Sequence, residues 1–351
     1  MELEFKASDA DGKQFNFKLN DSLIDYKKMR EHVPESICIG AIEKIKKASG
    51  KKCALLFGNC QMGALLDILS RHVQFRKECL FLVVPSVFMY DKRLLDLIYG
   101  GKCQFLQLVD IFISQHVKDT NRFGSELATQ NISGKLSGDC RIIWIPDTYF
   151  MGTCPQRISQ THRVGSVAMY PQGRFPHGDK YIDRIMEDSK MNPDIETILD
   201  KIIDPRFIPS QTIQEEIDKS LAELKRREWF CEVKISDYIE TNMSGKRLFY
   251  SMNHPIPQVL MEVARRILRA IDIRSDNFLE LHNLLDDSNM QFSLIGQDVP
   301  IYPSVLKFFE IEETPKIYWA NRYIWNFCAD FRDFQREYIK QCWAEKFTNQ
   351  S

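Results

Sequence analysis

Gly58-Asn59-Cys60-Gln61 puts a thiol directly behind an apolar run, Cys53-Ala-Leu-Leu-Phe57, and just ahead of an apolar-periodic one, Ala64-Leu-Leu-Asp-Ile-Leu69. A strand that turns into a helix there leaves unpaired backbone N–H groups and the positive end of a helix dipole beside the sulfur. Such a setting lowers a cysteine's pKa from its free value of about 8.5, so Cys60 is expected as a thiolate nucleophile. Gly58 permits a tight turn, Asn59 offers an amide donor beside the sulfur, and Gly63 lets the first helical turn approach the sheet closely. These residue types suit attack on a carbonyl carbon with donors waiting for the oxyanion. The chemistry also needs a base. Asn253-His254-Pro255 follows another apolar run, Arg247-Leu-Phe-Tyr250, and an imidazole at a strand's carboxyl end can serve a thiol distant in sequence. Taken singly, Cys60 reads more simply as a packed helix start, and His254 equally well as a loop residue capping the helix that opens at Pro257.

The elements that must position these groups follow from hydropathy patterning. Residues 53–57, 80–84, 103–109 and 140–145 are short apolar runs, the last ended by Pro146, and residues 64–69 and 91–99 between them have helical periodicity. Strands apolar throughout and separated by helices imply a doubly wound, mostly parallel α/β sheet covered on both faces, with ligands gathering at the strands' carboxyl ends. Residues 1–50 read as an N-terminal extension: a hairpin around Asp9-Ala-Asp-Gly12, then a helical stretch over 21–47 broken near Pro34. Residues 51–271 read as the catalytic domain, with a charged helical insert at about 177–240, a fifth strand at 247–250 and a helix at 257–271 opened by proline. Residues 272–351 read as a mainly helical, aromatic-rich region ending in a long helix over 318–347.

Composition narrows the function. The 351 residues carry 47 basic and 48 acidic side chains, so no basic stripe marks a nucleic-acid binder. The most apolar run, residues 79–90, is broken by Pro85 and Ser86 and falls short of the about 20 residues a membrane span needs. The N-terminus is acidic and polar, unlike a signal peptide, so a cytoplasmic location is expected. Ten cysteines with no C-x-x-C pair and no zinc-ligand spacing imply neither a disulfide framework nor a metal site; Cys53, Cys79, Cys103 and Cys140 lie in apolar runs and read as small buried side chains. Walker A and G-x-G-x-x-G fingerprints and the hexapeptide period of β-helix acyltransferases are all missing.

Gly58-Asn59-Cys60-Gln61 after an apolar strand, Ile145-Pro146-Asp147-Thr148-Tyr149-Phe150, and Asn253-His254-Pro255 late in the chain resemble the WcbI family of surface- and capsular-polysaccharide biosynthesis, over roughly residues 51–270. The resemblance implies an SGNH-hydrolase-like fold, binding of coenzyme A, and transfer of an acetyl group from acetyl-CoA to a sugar or glycan acceptor. It puts Cys60 at the nucleophile position and His254 at that of the late histidine. Asn59 and the Cys60 and Gln61 amides then polarise the thioester. Gln115-His116-Val117-Lys118-Asp119 with Arg122 is similar to a family segment, which makes Gln115, Lys118 and Arg122 candidates for gripping coenzyme A, alongside Gly58, Gln61, Asn253 and Tyr149. Tyr149 and Phe150 are candidates to flank an acceptor sugar or the adenine ring, and Asp147 to orient His254. The usual acid shortly before the histidine is replaced by Tyr250, Ser251 and Met252, which leaves a Cys/His dyad. His162, Arg163, Tyr170, Arg174 and His177 form a further basic and aromatic stretch suited to a polar substrate, or to a surface loop. An esterase or thioesterase acting through the same dyad, and a non-catalytic module binding coenzyme A or a nucleotide sugar, are the alternatives. Self-association into a homo-oligomer is left open.

Overall fold

After its first residue, strand β4 (Lys52–Phe57) is buried throughout, and it lies at the centre of a five-stranded, all-parallel sheet of order β3-β5-β4-β6-β7. The other strands are β3 (Leu23–Asp25), β5 (Cys79–Val83), β6 (Ile111–Gln115) and β7 (Arg141–Ile145), and an antiparallel hairpin of β1 (Glu2–Ser8) and β2 (Gln14–Asn20) precedes them. Helices α1 (Tyr26–His32), α2 (Glu35–Ser49), α3 (Cys60–Arg71), α4 (Val73–Glu78) and α5 (Lys92–Tyr99) supply the crossovers, the doubly wound α/β arrangement that the apolar runs imply. The computed structural model describes residues 2–100, 103–119, 124–158, 178–188, 194–273, 299–312, 318–321, 326–328 and 330–348.

Strand alternation sorts the core into two layers. Cys53, Leu55, Phe57, Leu80, Leu82 and Phe112 share one cluster with Tyr26 and Met29 of α1, Ile42 and Ile45 of α2, and Ile98 and Tyr99 of α5. The intervening residues face the other way: Phe81 stacks on Phe75 of α4 at 4.8 Å between ring centroids. Local chemistry starts and ends these elements. Asp25 and Asp91 cap α1 and α5 by accepting from Lys28 and Leu94 N–H, and Gly50 ends α2 in the left-handed region at φ 68°. The Asp110 carboxylate accepts from Cys53 N–H at 2.6 Å and pairs with Lys46 Nζ at 2.7 Å, fixing where β4 begins.

The chain forms two compact units. The first holds the sheet: residues 1–147, 227–235 and 260–293. The second comprises residues 148–226, 236–259 and 294–351. It contains helices Ile195–Ile202, Ser210–Arg227 (to Arg226), Ser236–Asn242, Pro303–Phe309 and Phe331–Thr348, together with short antiparallel strand pairs. Its interior includes a Phe150–Phe249 ring contact at 5.5 Å and a buried Asp179 that accepts from Tyr302 Oη–H at 2.8 Å. No helix among the described residues is long and apolar enough to cross a membrane.

Four sequence expectations change. Residues 104–108 form a 3-10 turn opened by Cys103 at φ 47°, and the third strand is Ile111–Gln115; two apolar runs lie side by side, and periodicity cannot tell a short buried strand from a short helix. Residues 23–25, within the stretch read as helical, are the edge strand β3, too short to leave a pattern. The run at 247–250 does not join the parallel sheet: Phe249–Ser251 pairs with His254–Pro255 in a small antiparallel hairpin. Residues 318–321 and 326–328 are paired strands before the final helix, Phe331–Thr348. Phe112 is fully buried at the centre of the first layer, so Phe112→Ala should cost about 3–5 kcal/mol, read as a lowered midpoint in urea unfolding.

Candidate active site

The carboxyl ends of three adjacent strands, β4, β6 and β7, meet around Asn59. Gly58, the residue after β4, is at φ 156°; a Cβ there would run into Gln115 Oε1 and come within 2.9 Å of Met62 Cγ, so the turn admits only glycine. Asn59 is the N-cap of α3, its Oδ1 accepting from Gln61 N–H at 2.9 Å. Its own N–H donates to Oε1 of Gln115, the last residue of β6, at 2.8 Å. Gln115 Nε2 then donates to Gln61 Oε1 at 3.0 Å, and both glutamines are buried. Asn59 Nδ2 donates to Asp147 Oδ1 at 2.7 Å, two residues beyond β7. Arg227 is anchored at the same place, donating to Asp147 O at 3.3 Å with the carboxylate 3.8 Å away. From the β5 side, Val87 N–H donates to Gly58 O at 2.9 Å and Ser86 Oγ–H to Asn59 O at 3.3 Å.

Cys60, the first residue of α3, is half-buried, whereas most of the described cysteines are buried. Its protonation departs from the thiolate that its position suggests. Burial, and next the Asp147 carboxylate, push the thiol up to about 11, and the Cys60 and Gln61 backbone N–H groups pull it back only in part. The expectation of a resting thiolate is therefore corrected: a helix start lowers a cysteine's pKa only where solvent or a cation lets the charge appear. Burial likewise raises Asp147, with Arg227 and the Asn59 amide working against it.

Other expected residues lie in the second unit. His254 is buried in its hairpin with Ser251 Oγ 2.7 Å from Nδ1, and burial lowers its pKa to about 4, so the imidazole is neutral at neutral pH. Asn253 occupies the hairpin turn, its Oδ1 accepting from Ser251 Oγ–H at 3.5 Å. The Tyr149 hydroxyl lies 3.1 Å and 3.2 Å from the sulfurs of Met151 and Met252. Phe150 is buried, so it belongs to the core and not to a sugar surface. In the first unit Lys118 is exposed in the loop after β6. Arg122, and the stretch holding His162, Arg163, Tyr170, Arg174 and His177, lie outside the described residues. Among the described residues no three or more His, Cys, Asp or Glu side chains gather as metal ligands.

Residues 53–276, more than half of the chain, match the family of the polysaccharide biosynthesis enzyme WcbI. The chain belongs to that family. A solved WcbI structure superposes with a TM-score of 0.64 at 19% identity, covering 86% of this chain and 91% of the other. That structure is described as native protein without a disulfide bond between coenzyme A and one of its cysteines. No curated protein matches this chain.

Two roles in this WcbI-family chain escaped the sequence reading. Gln115 and Gln61 brace the turn through their carboxamides, and Asp147 holds Asn59. A buried glutamine ending an apolar strand was the available signal. Asp147→Asn removes the negative charge next to Cys60 while keeping an acceptor for Asn59, so the thiol pKa should fall below about 11 and iodoacetamide alkylation at pH 8 to 9 should quicken; an unchanged pH profile counts against this electrostatic account. His254 titrates near 6.5 when unfolded and near 4 when folded. Its contribution is therefore intact above pH 6.5 and lost as pH falls toward 4, by on the order of 3 kcal/mol. Urea midpoints across that window should slope less in His254→Gln.

Proposed function

We propose that this polysaccharide biosynthesis enzyme transfers an acyl group, acetyl in the simplest case, from coenzyme A to a hydroxyl of a sugar in a surface or capsular polysaccharide. The observation that carries the reading is Cys60, a half-buried thiol opening α3 at three converging strand ends, where the Cys60 and Gln61 backbone N–H groups favour negative charge on the sulfur. Donors that favour a sulfur anion also favour the oxygen anion of a tetrahedral adduct at the same place. This donor set fits a thioester carbonyl, and exposed Lys118 fits a phosphate as a point charge. The description of a WcbI structure in terms of coenzyme A and a cysteine supports the choice of acyl carrier. Acyl-coenzyme A, when bound, would supply the activated acyl group and, as coenzyme A thiolate, a good leaving group. Such a carrier also argues for a cytoplasmic enzyme.

Two routes use the same residues. In one, the Cys60 sulfur takes the acyl group as its proton passes to the departing coenzyme A thiolate, and the sugar hydroxyl then takes the acyl group, returning its proton to Cys60. In the other, Cys60 stays a thiol, the amides polarise the carbonyl, and neutral His254 accepts the hydroxyl proton. With a thiol pKa of about 11, roughly one Cys60 in ten thousand is ionised at pH 7. That favours direct transfer unless a bound cation or ligand lowers the pKa.

Intact-mass measurement after mixing with acetyl-CoA, paired with release of free coenzyme A in the presence of acceptor glycan, tests the reading. His254→Gln should lower turnover by about 10²–10⁴-fold, the usual span for a lost general base. An acetyl adduct absent from Cys60→Ala establishes the covalent route. Full turnover in Cys60→Ala removes the sulfur from the mechanism. Acetate released without acylated sugar makes the protein a hydrolase, and tight coenzyme A binding without turnover makes it a binding module.

A further inference from the structure

The segment Arg227–Ile235 carries an exposed aromatic surface beside the site. It runs along the open edge of β7, where Trp144 N–H donates to Glu232 Oε2 at 2.6 Å and Val233 N–H donates to Trp144 O at 3.3 Å. Arg227, at its start, is tied to Asp147 and through it to Asn59. The turn Glu228–Phe230 is rigid: Glu228 is buried and accepts from Ile235 N–H, and Cys231 N–H donates to Glu228 O at 3.0 Å. That turn aims Phe230 edge-on at His116, 5.5 Å between centroids, and at Trp144, 6.3 Å. His116 directly follows Gln115, the residue that braces Asn59. Trp229, 85% exposed, stands outside them.

Trp229 and Phe230 are adjacent and both exposed, so apolar ring surface is gathered on one turn and not scattered singly. We propose that His116, Phe230 and Trp229 form the acceptor shelf of the enzyme, on which pyranose rings of a glycan lie with their C–H faces against the aromatic rings. The proposal deepens, and rests on, the reading that the acceptor is a sugar. Three features select a glycan over a nucleobase. The rings form an open shelf at a strand edge, which suits an extended chain. The turn is pre-ordered, so stacking costs little side-chain entropy. Groups that can bind hydroxyls lie close by in the chain: Lys118 is exposed two residues beyond His116, and Arg227 opens the segment that carries Trp229 and Phe230.

The test uses the full chain and oligosaccharides released by mild acid from the surface polysaccharide of the source cells. Saturation-transfer NMR should show ring C–H protons in contact with the wild-type protein. Trp229→Ala with Phe230→Ala should weaken that binding at least tenfold while coenzyme A affinity, read by calorimetry, stays unchanged. Oligosaccharide binding equal in variant and wild type overturns the shelf, as does absence of binding to the wild type. Loss of coenzyme A affinity in the variant also overturns it and assigns the rings to the nucleotide. A wild-type protein that binds oligosaccharide through these rings but does not bind coenzyme A keeps the shelf and sinks the transferase reading.

Discussion

One carboxamide holds the candidate site together. Gln115, at the end of β6, spends its oxygen on the Asn59 N–H and its nitrogen on Gln61, so the turn after β4 and the first turn of α3 are referenced to the neighbouring strand. An unmade hydrogen bond on a buried amide costs about 1–3 kcal/mol, which makes this arrangement strongly preferred over any alternative turn. The constraint reaches outward. Gly58 must lack a side chain because Gln115 fills that space, and Asn59, its backbone fixed by Gln115, is left to cap α3 and to grip Asp147. Cys60 inherits its place from these bonds.

The same closeness that builds the turn sets the electrostatics of the thiol. The Cys60 and Gln61 backbone N–H groups favour the sulfur anion, and a charge at a helix start is stabilised by about 0.3–1 kcal/mol. Against them stand burial and a carboxylate held nearby by its bond to Asn59. The balance raises the thiol's pKa to about 11, so ionising it costs about 3 kcal/mol more than in a free cysteine. Any ligand that brings positive charge toward Asp147, or that exchanges burial for polar contact, shifts that balance toward the thiolate.

The edge of the sheet is as consequential as its centre. β7 is a terminal strand, and an open edge invites unwanted pairing. Arg227–Ile235 satisfies Trp144 on that edge and, in doing so, delivers Arg227 to Asp147 and a row of aromatic rings to the β6 loop. Edge protection and placement of functional groups are here accomplished by one nine-residue segment.

The apolar runs at 53–57, 80–84 and 140–145 and the Gly-Asn-Cys-Gln turn were legible because strands inside a parallel sheet are mostly apolar, and a strand-to-helix turn demands glycine and an N-cap. That fixed the fold class and located Cys60, Asn59 and Gly58. Patterning was silent on β3, which is three residues long, misplaced β6 by one apolar run, and put residues 247–250 in the wrong sheet. It also misjudged the thiol, since helix position is local whereas burial and the Asp147 charge arrive from elsewhere in the chain. Which polar atoms meet, that Gln115 braces Asn59 and that residues 227–235 close the edge of β7, was decided only in three dimensions. Hydrogen-bond partners distant in the chain leave no periodicity behind, and only folding brings them within reach.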